Sequence, residues 1–257
     1  MGTTNTLHPA AASGFAQQAD AYARGRPDYP QAVLPWLGEQ LGLQPAWQVL
    51  DLGAGTGKFS RYLLDSGAQV TALEPVAAMR AKLVSLPGLR VLDGTAEAIP
   101  LPDASLDAVF AATAFHWFAT PAALAEIERV LRPGGWLVLL FNVRDESVDW
   151  VAAMSAIMQP YEGDTPRYRK GDWRKVFPAP GFSALQQVDF PYLHRGAPEQ
   201  VIVDRVLSVS FIAALPDPER AKVHAALTEL IATHPALAGQ AEIALPYRTE
   251  LYCCQRR

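Results

Sequence analysis

The residues best suited to chemistry begin at Asp51-x-Gly53-x-Gly55-x-Gly57, where the apolar run Val49-Leu50-Asp51-Leu52 breaks into alternating glycines. Glycine takes positive φ at little cost, so the main chain of such a turn can touch a bound nucleoside. A carboxylate follows at Glu74, closing the run Val70-Thr71-Ala72-Leu73. At about 20 residues past the glycines, it can accept hydrogen bonds from both hydroxyls of a ribose. Further on stand Thr113, His116 and Trp117. His116 is the one group near the turn that ordinarily titrates near neutral pH, and Trp117 offers a π face to a cation. Each has a plainer reading too: a tight strand–helix turn, a solvated charge, a hydrogen-bonded loop histidine, a hydrophobic anchor.

Three glycine-loop chemistries compete. A P-loop needs four residues between its first Gly and the Gly-Lys-Ser/Thr. Aligned on Gly57-Lys58, its first position falls on Leu52 and its last on Phe59, so the pattern fails at both ends. The dinucleotide fingerprint fits Gly53 and Gly55 but puts Lys58 where a small residue lets the helix pack on the strand. That weighs against a bound pyrophosphate. The third reading needs the elements around the turn.

Strand and helix alternate over residues 47–141. Apolar runs at 49–52, 70–73, 89–93, 108–112 and 136–141 read as strands. Between them Phe59 and Leu63, then Val76, Met79 and Leu83, then Leu124, Ile127 and Leu131 stand at helical spacing. Upstream, Val33, Leu37 and Leu41 share one helix face. Such alternation predicts parallel βαβ units, an α/β sheet with helices on both faces. Residues 142–180 are long for a connection and rich in aromatic and basic side chains, which predicts an ordered lid over an acceptor. There Arg144, Arg167 and Arg169 either recognise an acidic acceptor or form a solvated basic face. Residues 185–194 read as a sixth strand, 199–214 and 218–233 as helices, and 247–255 as a final strand.

The 257 residues, half of them hydrophobic, suit one α/β domain, divided as a cap (13–45), a core (46–141), the lid (142–180) and the C-terminal part of the sheet (181–257). A net charge of −4 excludes broad phosphate neutralisation of a nucleic acid. No apolar run reaches the roughly 18 residues of a membrane span. Cys253 and Cys254 are adjacent and read as two unpaired thiols, which with the lack of a secretory leader points to the cytoplasm. No His/Cys/carboxylate cluster has metal-site spacing. The chain reads as a monomer or homodimer.

Taken in order, Asp51-x-Gly53-x-Gly55-x-Gly57, Glu74, Gly94-Thr95-Ala96-Glu97-Ala98-Ile99-Pro100 and Leu131-Arg132-Pro133-Gly134-Gly135 resemble the successive motifs of class I S-adenosylmethionine-dependent methyltransferases. Tyr22-Ala23-Arg24-Gly25-Arg26-Pro27-Asp28-Tyr29-Pro30, Phe115-His116-Trp117-Phe118, Ser210-Phe211-Ile212-Ala213-Ala214-Leu215-Pro216 and Leu245-Pro246-Tyr247-Arg248-Thr249-Glu250 are similar to the type 11 group, small-molecule enzymes related to trans-aconitate methyltransferase. The resemblance implies a Rossmann-like, doubly wound seven-stranded sheet, mostly parallel with one antiparallel C-terminal strand, an N-terminal helical cap and a lid insertion. It implies S-adenosylmethionine as cofactor and a small-molecule acceptor, with a carboxylate or hydroxyl oxygen favoured.

It also assigns residues. Asp51, Gly53, Ala54 and Gly55 would meet the methionine part, Asp51 reaching its ammonium. Glu74 and Pro75 would hold the ribose, with Met79 on the adenine or ribose face or else in plain core. Thr95 and Ala96 would meet the adenine edge, while Glu97 meets it or fixes that loop. Thr113 and Trp117 would stand near the sulfonium, and His116 is the candidate catalytic base. Tyr22 and Arg26 would close over the cofactor, Arg26 pairing with its carboxylate or bracing the cap. Two rivals remain: an S-adenosylmethionine-binding protein without transfer, and an NAD(P)-dependent oxidoreductase.

Overall fold

Parallel strands cannot be joined by tight turns, so each crossover carries a helix whose apolar stripe covers the sheet. The computed structural model describes residues 25–257 and follows this logic from the first strand onward. A helix α1 (Val33–Trp36) widens into a π turn (Leu37–Leu41), burying Val33, Leu37 and Leu41 as their spacing predicts. Then come β1 (Gln48–Leu52), α2 (Lys58–Leu64), β2 (Gln69–Leu73), α3 (Ala77–Leu83), β3 (Arg90–Leu92), β4 (Leu106–Ala112), α4 (Pro121–Val130) and β5 (Leu131–Arg144). The second half holds α5 (Asp149–Met158), 3-10 turns at Tyr168–Lys170 and Asp172–Val176, and β6 (Gln186–Gly196). A π turn (Glu199–Asp204), α6 (Arg205–Leu207), α7 (Ser210–Ala213), α8 (Asp217–Thr233) and β7 (Ile243–Gln255) complete it.

The seven strands form one sheet in the order β3-β2-β1-β4-β5-β7-β6. Pairing from β3 to β5 is parallel, while β7 runs antiparallel between β5 and β6. This is the architecture the resemblance implied. Alternation across the pleat splits the core between two faces. Leu50, Phe141, Tyr252 and Cys254 pack on one side, and Val49, Leu140, Leu251 and Cys253 on the other. Both thiols are free and buried. A third apolar cluster joins α5 to the helices between β6 and β7, through Trp150, Met154, Ile202 and Leu227.

Three local expectations change. Leu131 opens β5 instead of ending α4, although Leu124, Ile127 and Val130 are buried as a helix stripe should be. Residues 142–144 belong to the sheet and not to the insertion, because β7 pairs with them through Thr249, Arg248 and Tyr247. The single helix expected over 199–214 is broken in the middle. The Ser208 hydroxyl donates to the Arg205 carbonyl at 2.8 Å and Val209 is extended, so the chain turns before α7. Residues beyond 144 pack on the sheet, as an ordered segment should: Trp173 is 1% exposed, 5.0 Å from the Phe141 ring and stacked on Tyr168. The loose leader and Tyr22 lie outside the described residues.

Candidate active site

Strand order reverses beside β1, whose neighbours are β2 on one side and β4 on the other. Ligands of open α/β sheets bind in the crevice that opens there, beyond the carboxyl ends of the strands. The turn after β1 is built for close approach. The Gly53 and Ala54 amides donate to the Leu73 carbonyl at 2.9 and 3.2 Å, folding the turn back over β2. Gly53 has φ 73°, and a Cβ there would stand 2.9 Å from the Ala114 methyl and 3.3 Å from the Phe118 ring. No other residue fits without moving the loop after β4. Lys58, which broke the dinucleotide pattern, opens α2 and bonds Asp28 at 2.8 Å, tying the 26–29 segment to the mouth of the cleft.

Two buried carboxylates face each other across this turn. Glu74 accepts the Gly55 amide on one oxygen and the Val76 amide on the other, both at 2.9 Å, so each oxygen keeps capacity for a ligand hydroxyl. Burial nevertheless pushes its pKa up, against the pull of those two amides. Asp51 receives the Ser60 hydroxyl at 2.6 Å on one oxygen, and its other oxygen is buried without a partner. Burial raises Asp51 to about 7, with the Ser60 bond opposing and the Glu74 charge adding to the rise. An unpartnered carboxylate oxygen in a polar cleft is a place for a donor, and best for a cationic one.

Neighbouring elements fix the rest. Arg80 donates to the carbonyls of Glu74 and Pro75, at 2.7 and 3.0 Å, and so holds the end of β2. Arg129 on α4 donates to the Ile99 and Leu101 carbonyls, holding the loop that carries Thr95, Ala96 and Glu97. Thr113 follows β4 at φ 56°, a strained setting for a β-branched residue, costing ~1–3 kcal/mol.

A cleft of about 220 Å³ results, and the sequence-derived residues converge on it. Arg26, Asp51, Gly53, Ala54, Gly55, Glu74, Pro75, Met79, Thr95, Ala96, Glu97, Thr113 and Trp117 all line it. Met79 is 1% exposed, so its core reading and its place in the wall both hold. Sequence reasoning missed Tyr29, Phe118, Asn142 and Arg205. Tyr29 and Phe118 stood inside motifs already singled out. Asn142 and Arg205 had no local signal.

His116 does not line this cleft. It faces a second cavity of about 230 Å³ that shares Arg26, Thr113, Trp117, Asn142 and Arg205 with the first. Its Nδ1 is buried without a partner, and burial with the charges of Arg167 and Arg26 lowers it to about 3. The imidazole is therefore neutral at pH 7 and a weak proton acceptor. Arg144, Arg167 and Arg169 line this second cavity, Arg144 and Arg167 part-buried and Arg169 exposed.

Relatives agree with this geometry. A family model described as "Methyltransferase domain" matches residues 50–139. A Mycobacterium tuberculosis protein named only as a methyltransferase is 41% identical over 236 residues, covering 91% of this chain and 92% of its own. The solved structure of a putative type II methyltransferase from Anaeromyxobacter dehalogenans covers 90% of this chain and 97% of its own, at 25% identity and a TM-score of 0.63. The malonyl-[acyl-carrier protein] O-methyltransferase of Serratia marcescens is 39% identical, over 52% of each chain. The chain belongs to the class I S-adenosylmethionine-dependent methyltransferases of the type 11 group. No helix among the described residues is long and apolar enough to cross a membrane.

Proposed function

We propose that the protein transfers the methyl group of S-adenosylmethionine to an oxygen of a small acceptor, and that this oxygen is a carboxylate. The carrying observation is that the nucleoside-type cleft and a second cavity share Thr113 and Trp117 in their walls. The cleft residues fit the cofactor on their chemistry. Glu74 supplies acceptors for the ribose diol, Met79 and Ala96 an apolar wall for adenine, and the spare Asp51 oxygen a partner for the ammonium. When bound, the cofactor supplies a methyl on cationic sulfur, which takes the bonding pair and leaves as a neutral thioether.

The chain's own share is alignment, exclusion of water and charge handling. Trp117, at the junction, gives a π wall for positive charge. The oxygen preference follows from His116. A hydroxyl acceptor must lose a proton, and an imidazole held near 3 takes one poorly. A carboxylate arrives already ionised and needs no base. We therefore assign His116 to the cavity wall and not to proton transfer. The O-methyltransferase name of the Serratia relative supports an oxygen acceptor. Two buried free thiols fit a cytoplasmic protein, and we propose a single domain.

The test is a transfer assay against panels of organic acids, alcohols and amines. The expected product is a methyl ester that alkali hydrolyses to methanol. An alkali-stable ether or methylamine as the main product would overturn the carboxylate assignment.

A further inference from the structure

The second cavity is walled by cations. Five arginines line it, Arg26, Arg144, Arg167, Arg169 and Arg205, against one carboxylate, Glu146. Glu162, behind the wall, bonds Arg169 at 3.0 Å and reaches Arg167 at 3.5 Å, offsetting part of that charge. Among the described residues it does not reach the other arginines, and its only further ion pair there is with Lys170. Arg205 is 6% exposed, its Nε donating to the Tyr247 hydroxyl at 3.0 Å while its Nη1 is buried without a partner. Nε and Nη1 of Arg144 are likewise buried and unpartnered. A guanidinium is planar, always charged and suited to bidentate oxyanions, and leaving one desolvated and unpaired is costly. Two such groups beside one cavity mark a place for anionic oxygens.

Their placement divides the work. Arg26 and Arg205 line both cavities, so they stand at the junction with the cofactor cleft. Arg144 and Arg167 line only the second cavity. Arg144 sits at the end of β5, and the Arg167 guanidinium lies 4.9 Å over the Phe211 ring. Like-charge repulsion is already felt there: after burial, the charges of neighbouring arginines lower both guanidiniums, Arg144 to about 10 and Arg167 to about 9.

We propose that the acceptor carries a second, non-reacting anionic group, and that Arg144 and Arg167 anchor it while Arg205 meets the oxygen to be methylated. This rests on the methyl-transfer reading and deepens it. The substrate class is a small acid with at least two anionic groups, the anchor being a carboxylate or a phosphate. Specificity against mono-acids then comes from the far wall, away from the reacting atoms. The device also has a stability signature: without an anion, Arg144 burdens the fold.

The experiment uses the full chain saturated with S-adenosylhomocysteine, titrated by calorimetry with succinate, inorganic phosphate and acetate at constant ionic strength. Succinate or phosphate is expected to bind saturably and acetate at least tenfold more weakly; the tighter of the two identifies the anchor chemistry. Arg144→Gln should weaken that binding about ten- to a hundredfold, as loss of a charge-assisted bond does, and should raise the anion-free Tm. Arg167→Gln provides a second reading should the first variant fold poorly. Acetate binding as tight as succinate, or dianion binding that neither variant weakens, would overturn the anchor. So would the absence of any saturable dianion binding with and without S-adenosylhomocysteine. Failure of S-adenosylhomocysteine to bind, read in its own titration, would strike the methyl-transfer reading instead.

Discussion

At the scale of single residues, Asp51 carries the most readable consequence. Its carboxyl ordinarily titrates near 3.8 and is raised to about 7 in the folded chain. The folded state therefore keeps a proton that the unfolded state gives up as pH rises from about 4. Stability conferred by this group falls through that window and levels off above about 7, the full shift amounting to ~4 kcal/mol. Asp51→Asn should flatten this fall, giving a higher Tm than wild type at pH 8 and little difference at pH 4. A cationic ammonium placed on the spare oxygen favours the ionised form. Binding of S-adenosylhomocysteine near pH 6.5 should then release a proton, seen as a calorimetric enthalpy that varies with the ionisation enthalpy of the buffer. A buffer-independent enthalpy would contradict the ammonium assignment. His116 gives the complementary prediction. His116→Gln should leave the pH dependence of kcat between 6 and 8 unchanged, because the imidazole is already neutral there. Loss of an acidic limb from that profile would restore it as a base.

At the scale of elements, the glycine turn, Glu74 and the Thr95–Ala96 loop were legible because each lies within one βαβ unit. A strand end, a turn and the next helix are set by neighbours a few residues away. What was not legible depends on pairings distant in sequence. β7 inserts between β5 and β6, which lengthens β5 to Arg144 and moves Asn142 from an expected lid to the cleft wall. The break before α7 and the start of β5 at Leu131 likewise follow from tertiary pairing, which overrides helical spacing. The segment after β5, expected as an ordered lid, makes close contacts with the sheet. Tyr168 and Tyr252 both donate to Glu250, Arg248 Nε approaches the same carboxylate at 3.1 Å, and Arg174 lies 4.3 Å over Trp173. Trp173→Ala empties the centre of that packing and should cost ~3–5 kcal/mol, a fall in Tm of roughly 6–20 °C. A change below about 2 °C in thermal melting would mean the segment is a lid resting loosely on the sheet.

At the scale of the whole molecule, charge is distributed against its average. The chain is net acidic at −4, yet arginines gather around one cavity. Net charge read from composition argues against a polyanionic nucleic acid but says nothing of a small anion, because only the fold brings Arg26, Arg144, Arg167 and Arg205 together. Arg205 comes from a helix between β6 and β7, and the close approach of Gly25 to its backbone sets the chain leading to Arg26 beside it. A Cβ at Gly25 would stand 2.5 Å from the Asp204 carbonyl oxygen. Motif order picked out residues that line the first cleft, since that cleft is built locally. The second cavity is assembled from β5, the segment after it and α6, and no spacing in the sequence announces it.

The central claim is that the turn after β1 and Glu74 hold S-adenosylmethionine. It is tested most directly by calorimetric titration of wild type and Glu74→Ala with S-adenosylmethionine, S-adenosylhomocysteine and NAD. Wild type should bind both sulfur compounds and not NAD. Glu74→Ala should weaken both about ten- to a hundredfold, the loss expected for a charge-assisted pair of hydrogen bonds to the ribose. Folded wild type that binds neither sulfur compound, or a Glu74→Ala variant that binds them as tightly, would contradict the account.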